Sequence, residues 1–133
     1  MTPWGPLSGW WRRVGATIID ALLIAIPIGF VLGLANTTQS IIDLVFLAAF
    51  FLYITLLLGG SGQTLGNRAV STRVVDANRG TPIGNNRAAV RALVQIVLQI
   101  TFIGWIIDFL WPLFDSRNQT LHDKAAGSLV ILA

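Results

Sequence analysis

Two long runs of apolar residues constrain this chain more than any other feature of its sequence. Residues 14–35 and 41–58 are each close to the 20 or so apolar residues that cross the hydrocarbon core of a bilayer as a helix. Charged residues make up only 11% of the chain, against about 25% in soluble domains. The sequence therefore predicts an all-α membrane protein with two transmembrane helices, 14–35 and 41–58.

A third hydrophobic segment, 88–114, has a path that the sequence leaves open. Arg91, Gln95 and Gln99 recur every four residues and form a polar stripe on one helix face. Gly104 can break the helix. The segment is either one long tilted helix that crosses once, or a helix broken near 101–104 that returns to its starting side. We favour the broken segment, which keeps the tail 115–133 cytoplasmic.

The arginines predict the orientation of the chain in its membrane. Arg12 and Arg13 precede the first helix, and four more arginines lie in the loop 59–87, while the turn 36–40 carries no charge. Basic loops remain on the cytoplasmic side of a membrane. We therefore expect a multi-pass protein with a cytoplasmic N-terminus. The tryptophan-containing tail 1–13 should lie in the cytoplasm or at the interface.

Two similar stretches predict a small cytoplasmic β-element. Residues 72–83 are expected to form a hairpin, and 128–132 a C-terminal strand. Residues 63–75 match 119–131, and each copy begins with the same dipeptide, Gln63-Thr64 and Gln119-Thr120. Each copy predicts a helix-capping threonine, one helical turn and a strand. The two strands can pair if both copies lie on the same membrane face, which is why we favour the broken third segment.

Asp20 is a carboxylate inside the first apolar run, where a charge costs about 2.5–3.5 kcal/mol. Arg13, Thr17 and Asp20 share one helix face, but Arg13 and Asp20 are about 10 Å apart along the axis. We therefore expect a second basic partner for Asp20, either Arg91 or Lys124. The charge either fixes helix packing or forms a cation or proton site.

The composition argues against several other functions. The chain has no cysteine and one histidine, so we expect no disulfide, no metal site and no cofactor. His122 and Asp123 have no nucleophile nearby in the sequence, and we expect no enzyme activity. The basic residues lie in loops, which suits anionic lipids and argues against nucleic acid as a partner.

With these residues identified, the chain resembles the RDD family of bacterial membrane proteins. Arg13 and Asp20 within 10–20, the loop 62–76, and Asp123 within 119–128 match the family's signatures, although Asn67 stands where lysine is common. The resemblance implies a single RDD domain over 14–133 in the bacterial plasma membrane. The candidate site has Arg13, Asp20 and Asp123 as signature residues, supported by Thr17, Arg91, Gln95, Gln63, Thr64, Gln119, Thr120 and His122.

Two functions follow as expectations. The first is a small accessory, assembly or structural membrane component, because three short hydrophobic segments enclose little volume for a substrate path. The second is an antiporter-like cation/proton transporter that works through Asp20, as the resemblance suggests. Besides the lipid bilayer, the expected partners are a homo-oligomer or larger membrane complex, and a monovalent cation or proton.

Overall fold

The computed structural model of the protein describes residues 2–133, and two long helices dominate it. Helix α1 spans Trp10–Leu34 and α2 spans Gln39–Gly60, and both are long and apolar enough to cross a membrane. The two predicted helices are present, and α1 begins at Trp10, four residues before the predicted start. These residues are helical because they are anchored. The Trp10 Nε1–H donates to the Phe109 carbonyl (2.9 Å), and Arg13 pairs with Asp123.

The core lies at one end of the two long helices. Phe50, Ile54 and Leu58 in the last turns of α2 pack with Val74, Ala88 and other buried residues beyond the helix. Along the rest of α1 and α2 most large apolar side chains are exposed; examples are Ile26, Phe30, Leu34, Leu44 and Leu56. A soluble monomer rarely exposes contiguous apolar surface of this extent.

The third hydrophobic segment is divided into two helices. Helix α4 spans Asn85–Ile100 and α5 spans Phe102–Leu110, followed by a 3₁₀ turn at Trp111–Leu113. Thr101 between them has an extended backbone, with φ −95° and ψ 133°. The strand that precedes α4 pairs with the strand that follows α5, so the segment begins and ends at the same sheet.

The sheet has two antiparallel strands, β1 (Thr72–Asp76) and β2 (Ser128–Leu132). The predicted C-terminal strand is confirmed, and it pairs with β1 as the repeat suggested. The predicted return strand at 81–83 was wrong, because these residues have irregular backbone and only the Thr81 carbonyl bonds to β1. Pro82 has no N–H for a ladder, whereas β2 offers an uninterrupted apolar strand.

A local two-fold symmetry relates the two halves of this sheet. A short helix precedes each strand, α3 (Leu65–Ala69) and α6 (Leu121–Ala126), and the threonine before each helix forms a capping box. The Gln63 amide donates to the Thr72 carbonyl (2.8 Å), and the Gln119 amide donates to the Ser128 carbonyl (2.9 Å). The axis passes through the central pair, in which Val74 faces Val130.

The N-terminal tail covers the outer edge of β2. The Ser8 N–H donates to the Val130 carbonyl (2.8 Å), and the Leu132 N–H donates to the Pro6 carbonyl (2.9 Å). Trp4 packs on the sheet and donates to the Ala77 carbonyl (3.2 Å). Trp4 therefore fastens the tail to the sheet.

Candidate functional site

Asp20 is held by three neutral hydrogen-bond donors. The carboxylate is buried and accepts from the Tyr53 hydroxyl (2.6 Å), the Thr64 hydroxyl (2.6 Å) and the Gly66 N–H (2.8 Å). A buried carboxylate with this many donors does not need a cation nearby. Asp20 thus joins α1 to α2 and to the first turn of α3.

The expected basic partner of Asp20 was wrong. Among residues 2–133, no arginine or lysine pairs with it: Arg91 bonds to Asp123, and Lys124 pairs with Asp115 (2.7 Å). The physical reason is that α3 lies directly against α1. A Cβ at Gly66 would meet the Ala16 carbonyl and the Asp20 carboxylate, so only glycine permits this approach.

Asp123 forms the ionic centre of the signature. It is completely buried, accepts from the Arg91 Nε and Nη2 at 3.0 and 2.7 Å, and also pairs with Arg13. Burial alone would raise the pKa of Asp123, but the two guanidinium groups hold it well below its usual value. The three residues join α1 and α4 to α6, and Thr17 only donates to the Arg13 carbonyl within α1.

Asp108 and His122 form a buried pair that the sequence analysis missed. The His122 Nδ1 lies 2.7 Å from the Asp108 Oδ2, and the His122 backbone N–H donates to Asp108 (3.2 Å). Burial lowers the pKa of His122. Because a carboxylate oxygen accepts, Nδ1–H is the donor in this pair. The partner of His122 is therefore Asp108 and not its neighbour in the sequence, Asp123.

The local two-fold symmetry explains the position of Asp108. Gly66 and His122 are equivalent positions in the two repeats, and the backbone N–H of each donates to a buried aspartate, Asp20 or Asp108. Asp108 therefore holds α6 as Asp20 holds α3. The sequence carried one signal for this role, because Asp108 is a single acid in an apolar stretch, as Asp20 is.

A cavity of about 70 Å³ lies where these groups converge, between α1, α2, α4, α5 and α6. Gln95 lines it with only 5% of its surface exposed, and the Gln95 Oε1 has no hydrogen-bond partner within the described part of the chain. The same holds for the Arg13 Nε. The other polar side chains that line it include Thr17, Asp20, Thr64, Gln99, Asp108, Thr120 and His122. Gln63 and Gln119 lie outside it and brace the strands.

The site is held together by hydrogen bonds and ion pairs. Within residues 2–133, no group of three or more acidic, histidine or cysteine side chains is placed to hold a metal ion. The arrangement binds helices to the sheet through buried charges, and a polar cavity lies between them.

The chain resembles several known bacterial proteins. The uncharacterized protein YckC of Bacillus subtilis (strain 168) is 28% identical over 130 residues, which are 95% of this chain and 85% of that protein. The proline-rich antigen of Mycobacterium leprae (strain TN) is 36% identical over 66 residues, 50% of this chain and 25% of the antigen. Its homolog in Mycobacterium tuberculosis (strain ATCC 25618 / H37Rv) is 37% identical over 74 residues, 55% of this chain and 29% of the homolog.

This chain thus aligns with little more than a quarter of the length of these antigens. No solved structure matches it. The model of the RDD family matches residues 7–127, which include Arg13, Asp20 and Asp123. The chain belongs to the RDD family.

Proposed function

We propose that this protein is a multi-pass component of the bacterial plasma membrane with a cytoplasmic N-terminus. The exposed apolar side chains of α1 and α2 support insertion, since hydrocarbon would cover them. The turn 36–38 at one end of these helices is uncharged, whereas the arginines lie towards the other end. This distribution is that of a protein with its basic side in the cytoplasm.

Its function in this proposal is that of an accessory or assembly protein without enzyme activity, and not a nucleic-acid binder. The observation that carries it is that the carboxylates of Asp20 and Asp123 bond to groups on other elements of the same chain. The signature charges thus fasten the cytoplasmic cap, which we define as residues 2–8, 61–83 and 115–133, to the helices. A cap fixed in this way is a rigid surface on which a homo-oligomer or larger membrane complex can assemble.

Labelling of single cysteines tests the topology. Asn78 is exposed on the cap, and Thr38 is exposed in the turn between α1 and α2. In oriented membrane vesicles, an impermeant maleimide should label Asn78→Cys only from the cytoplasmic side and Thr38→Cys only from the opposite side. Labelling of both from one side refutes the proposed insertion.

A second candidate function is cation/proton exchange by an oligomer. One observation favours it: the carboxylates of Asp20 and Asp108 line the same cavity. Carboxylates at membrane depth are the groups that ion and proton pathways use. In this alternative, Asp20 is the group that gains and loses the proton.

Flux measurements separate the two functions. Purified protein in proteoliposomes is tested for Na⁺- or K⁺-driven proton movement beside Asp20→Asn, with Asp43→Asn as the control. Asp43 is exposed and bonds only to Gln39 in the first turn of α2. The accessory function predicts no flux above empty liposomes and poorer assembly of Asp20→Asn alone. A flux that Asp20→Asn abolishes and Asp43→Asn retains establishes transport instead.

A further inference from the structure

Two of the residues that line the cavity carry buried polar atoms without a hydrogen-bond partner in the described part of the chain. The Gln95 Oε1 is an acceptor without a donor, and the Arg13 Nε is a donor without an acceptor. Both residues line the cavity. Because a buried polar atom without a partner costs about 1–3 kcal/mol, a ligand that carries both a donor and an acceptor would be favoured here.

The charges around the cavity favour a cationic donor. Asp123 bonds to both arginines, whereas within residues 2–133 neither Asp20 nor Asp108 bonds to an arginine or lysine. Two carboxyl groups thus line the cavity without a basic partner, which favours a cation over a simple anion. A bare alkali ion would leave the Arg13 Nε unsatisfied.

The apolar part of the wall suits an organic cation. Trp105 stacks on Phe109 with ring centroids 5.6 Å apart, and Trp10 meets Phe109 edge-on at 5.2 Å. All three rings line the cavity. The face of an aromatic ring attracts an ammonium group within about 6 Å, most strongly where water is excluded.

The cavity opens towards an apolar surface. Gln99 and Trp105 are the exposed residues among those that line it, and they mark its mouth on either side of Thr101. Their neighbours Ile100, Phe102 and Ile103 are 70–73% exposed. A ligand that enters here comes from the side that lipid covers, so it should carry an apolar portion of its own.

We propose that the cavity binds the primary-ammonium head group of an aminophospholipid of the phosphatidylethanolamine type. The ammonium N–H groups donate to the Gln95 Oε1 and to the carboxylates, and a phosphodiester oxygen accepts from the Arg13 Nε. At about 10–15 Å³ per water-sized group, the cavity has room for about five such groups, enough for an ethanolamine head. This inference rests on the proposed insertion into the membrane.

The test compares lipids that differ only in the head group. The full chain is placed in nanodiscs containing phosphatidylethanolamine, phosphatidylcholine and phosphatidylglycerol with identical acyl chains, and retained lipid is measured by native mass spectrometry. The choline head carries a positive charge but no N–H donor. We expect retention of the ethanolamine lipid about tenfold above the other two, the ratio for one charged hydrogen bond. Equal retention of the ethanolamine and choline lipids overturns the proposal.

Substitutions at Gln95 test the acceptor. Gln95→Leu should reduce the preference to about twofold or less, whereas Gln95→Glu, which keeps the acceptor and adds charge, should retain or increase it. Gln39→Leu is the control, because Gln39 is exposed at the start of α2. An unchanged preference in Gln95→Leu, or loss of preference in Gln95→Glu, overturns the proposed contact.

Two further measurements separate the lipid-site proposal from the membrane-insertion proposal on which it rests. Free phosphoethanolamine at millimolar concentration should not displace the lipid. If it does, the proposal that the head group binds as part of a lipid is overturned. Resistance to alkaline extraction is measured on the same protein in native membranes. If alkaline treatment extracts the protein, both the proposed insertion and the lipid site are overturned. If the protein stays in the membrane but shows no head-group preference, the lipid site alone is overturned.

Discussion

The ion cluster around Asp123 gives the sharpest test of how this fold is held together. Replacement of Asp123 by asparagine removes one charge and almost no volume. The capping bond should survive, because the equivalent residue in the first repeat is Asn67, which accepts from the Thr64 N–H at 3.0 Å. The effect of Asp123→Asn therefore reports the charge itself.

The structure sets the size of the effect. Asp123 is fully buried, and the side chains of Arg13 and Arg91 are about one-tenth exposed. Loss of one partner from a buried ion pair costs about 3–5 kcal/mol, because the remaining charge stays buried. Here two arginines lose their counter-charge, so we expect the upper end of that range. Arg91→Met alone leaves Arg13 paired with Asp123 and should cost about 1–3 kcal/mol.

The double variant makes the reasoning refutable. In Asp123→Asn with Arg91→Met only Arg13 stays unpaired, so this protein should be about 1–2 kcal/mol more stable than Asp123→Asn alone. Unfolding is followed by tryptophan fluorescence during SDS titration in mixed micelles. If the double variant is instead less stable than Asp123→Asn, then the unpaired charge of Arg91 is not what destabilises Asp123→Asn. The ionic account is then wrong.

Three further predictions follow from the cap and are measured by the same titration. Ser71 and Gly127 are symmetry-related, and both have a left-handed backbone (φ 58° and 62°). Ser71→Gly should therefore stabilise the fold, and Gly127→Ser should destabilise it, each by about 1 kcal/mol. Changes in stability of the same sign for both variants would contradict this. Gly66→Ala should cost about 1–3 kcal/mol through its backbone clash, whereas Gly29→Ala, which has open space, should not destabilise. Because folding lowers the pKa of His122 from its ordinary value of 6.5, the unfolded chain binds more protons than the folded chain just below pH 6.5. Stability should be complete above pH 6.5 and fall as the pH drops below it, and His122→Gln should flatten this fall.

Much of the fold was predictable because it depends on local patterns. The two long helices follow from uninterrupted apolar runs, and the paired strands follow from the repeat that begins at Gln63 and Gln119. The two capping threonines were also predictable, since capping involves residues three positions apart. These features need no knowledge of tertiary contacts.

The site was only partly predictable, because its contacts join residues far apart in the chain. Asp20 was identified, but its donors come from α2 and α3, and no spacing within α1 indicates that Gly66 lets α3 lie against it. The pairing of Asp108 with His122 depends on the break at Thr101, which turns α5 back towards α6. Sequence patterns indicate which residues need partners, whereas the packing of α3 and α6 decides which partners they find.

The tail on the edge of β2 has a consequence for biosynthesis. Residues 6 and 8 bond to residues 132 and 130, so the segment before α1 must wait for the segment after α6, which is synthesised much later. In the proposed topology, α1 and α2 enter the bilayer long before that, in the orientation that Arg12 and Arg13 favour. Until β2 is synthesised, β1 lacks its partner, and an unpaired strand is a template for aggregation. The closing of the cap is thus a late and vulnerable step in the folding of this protein.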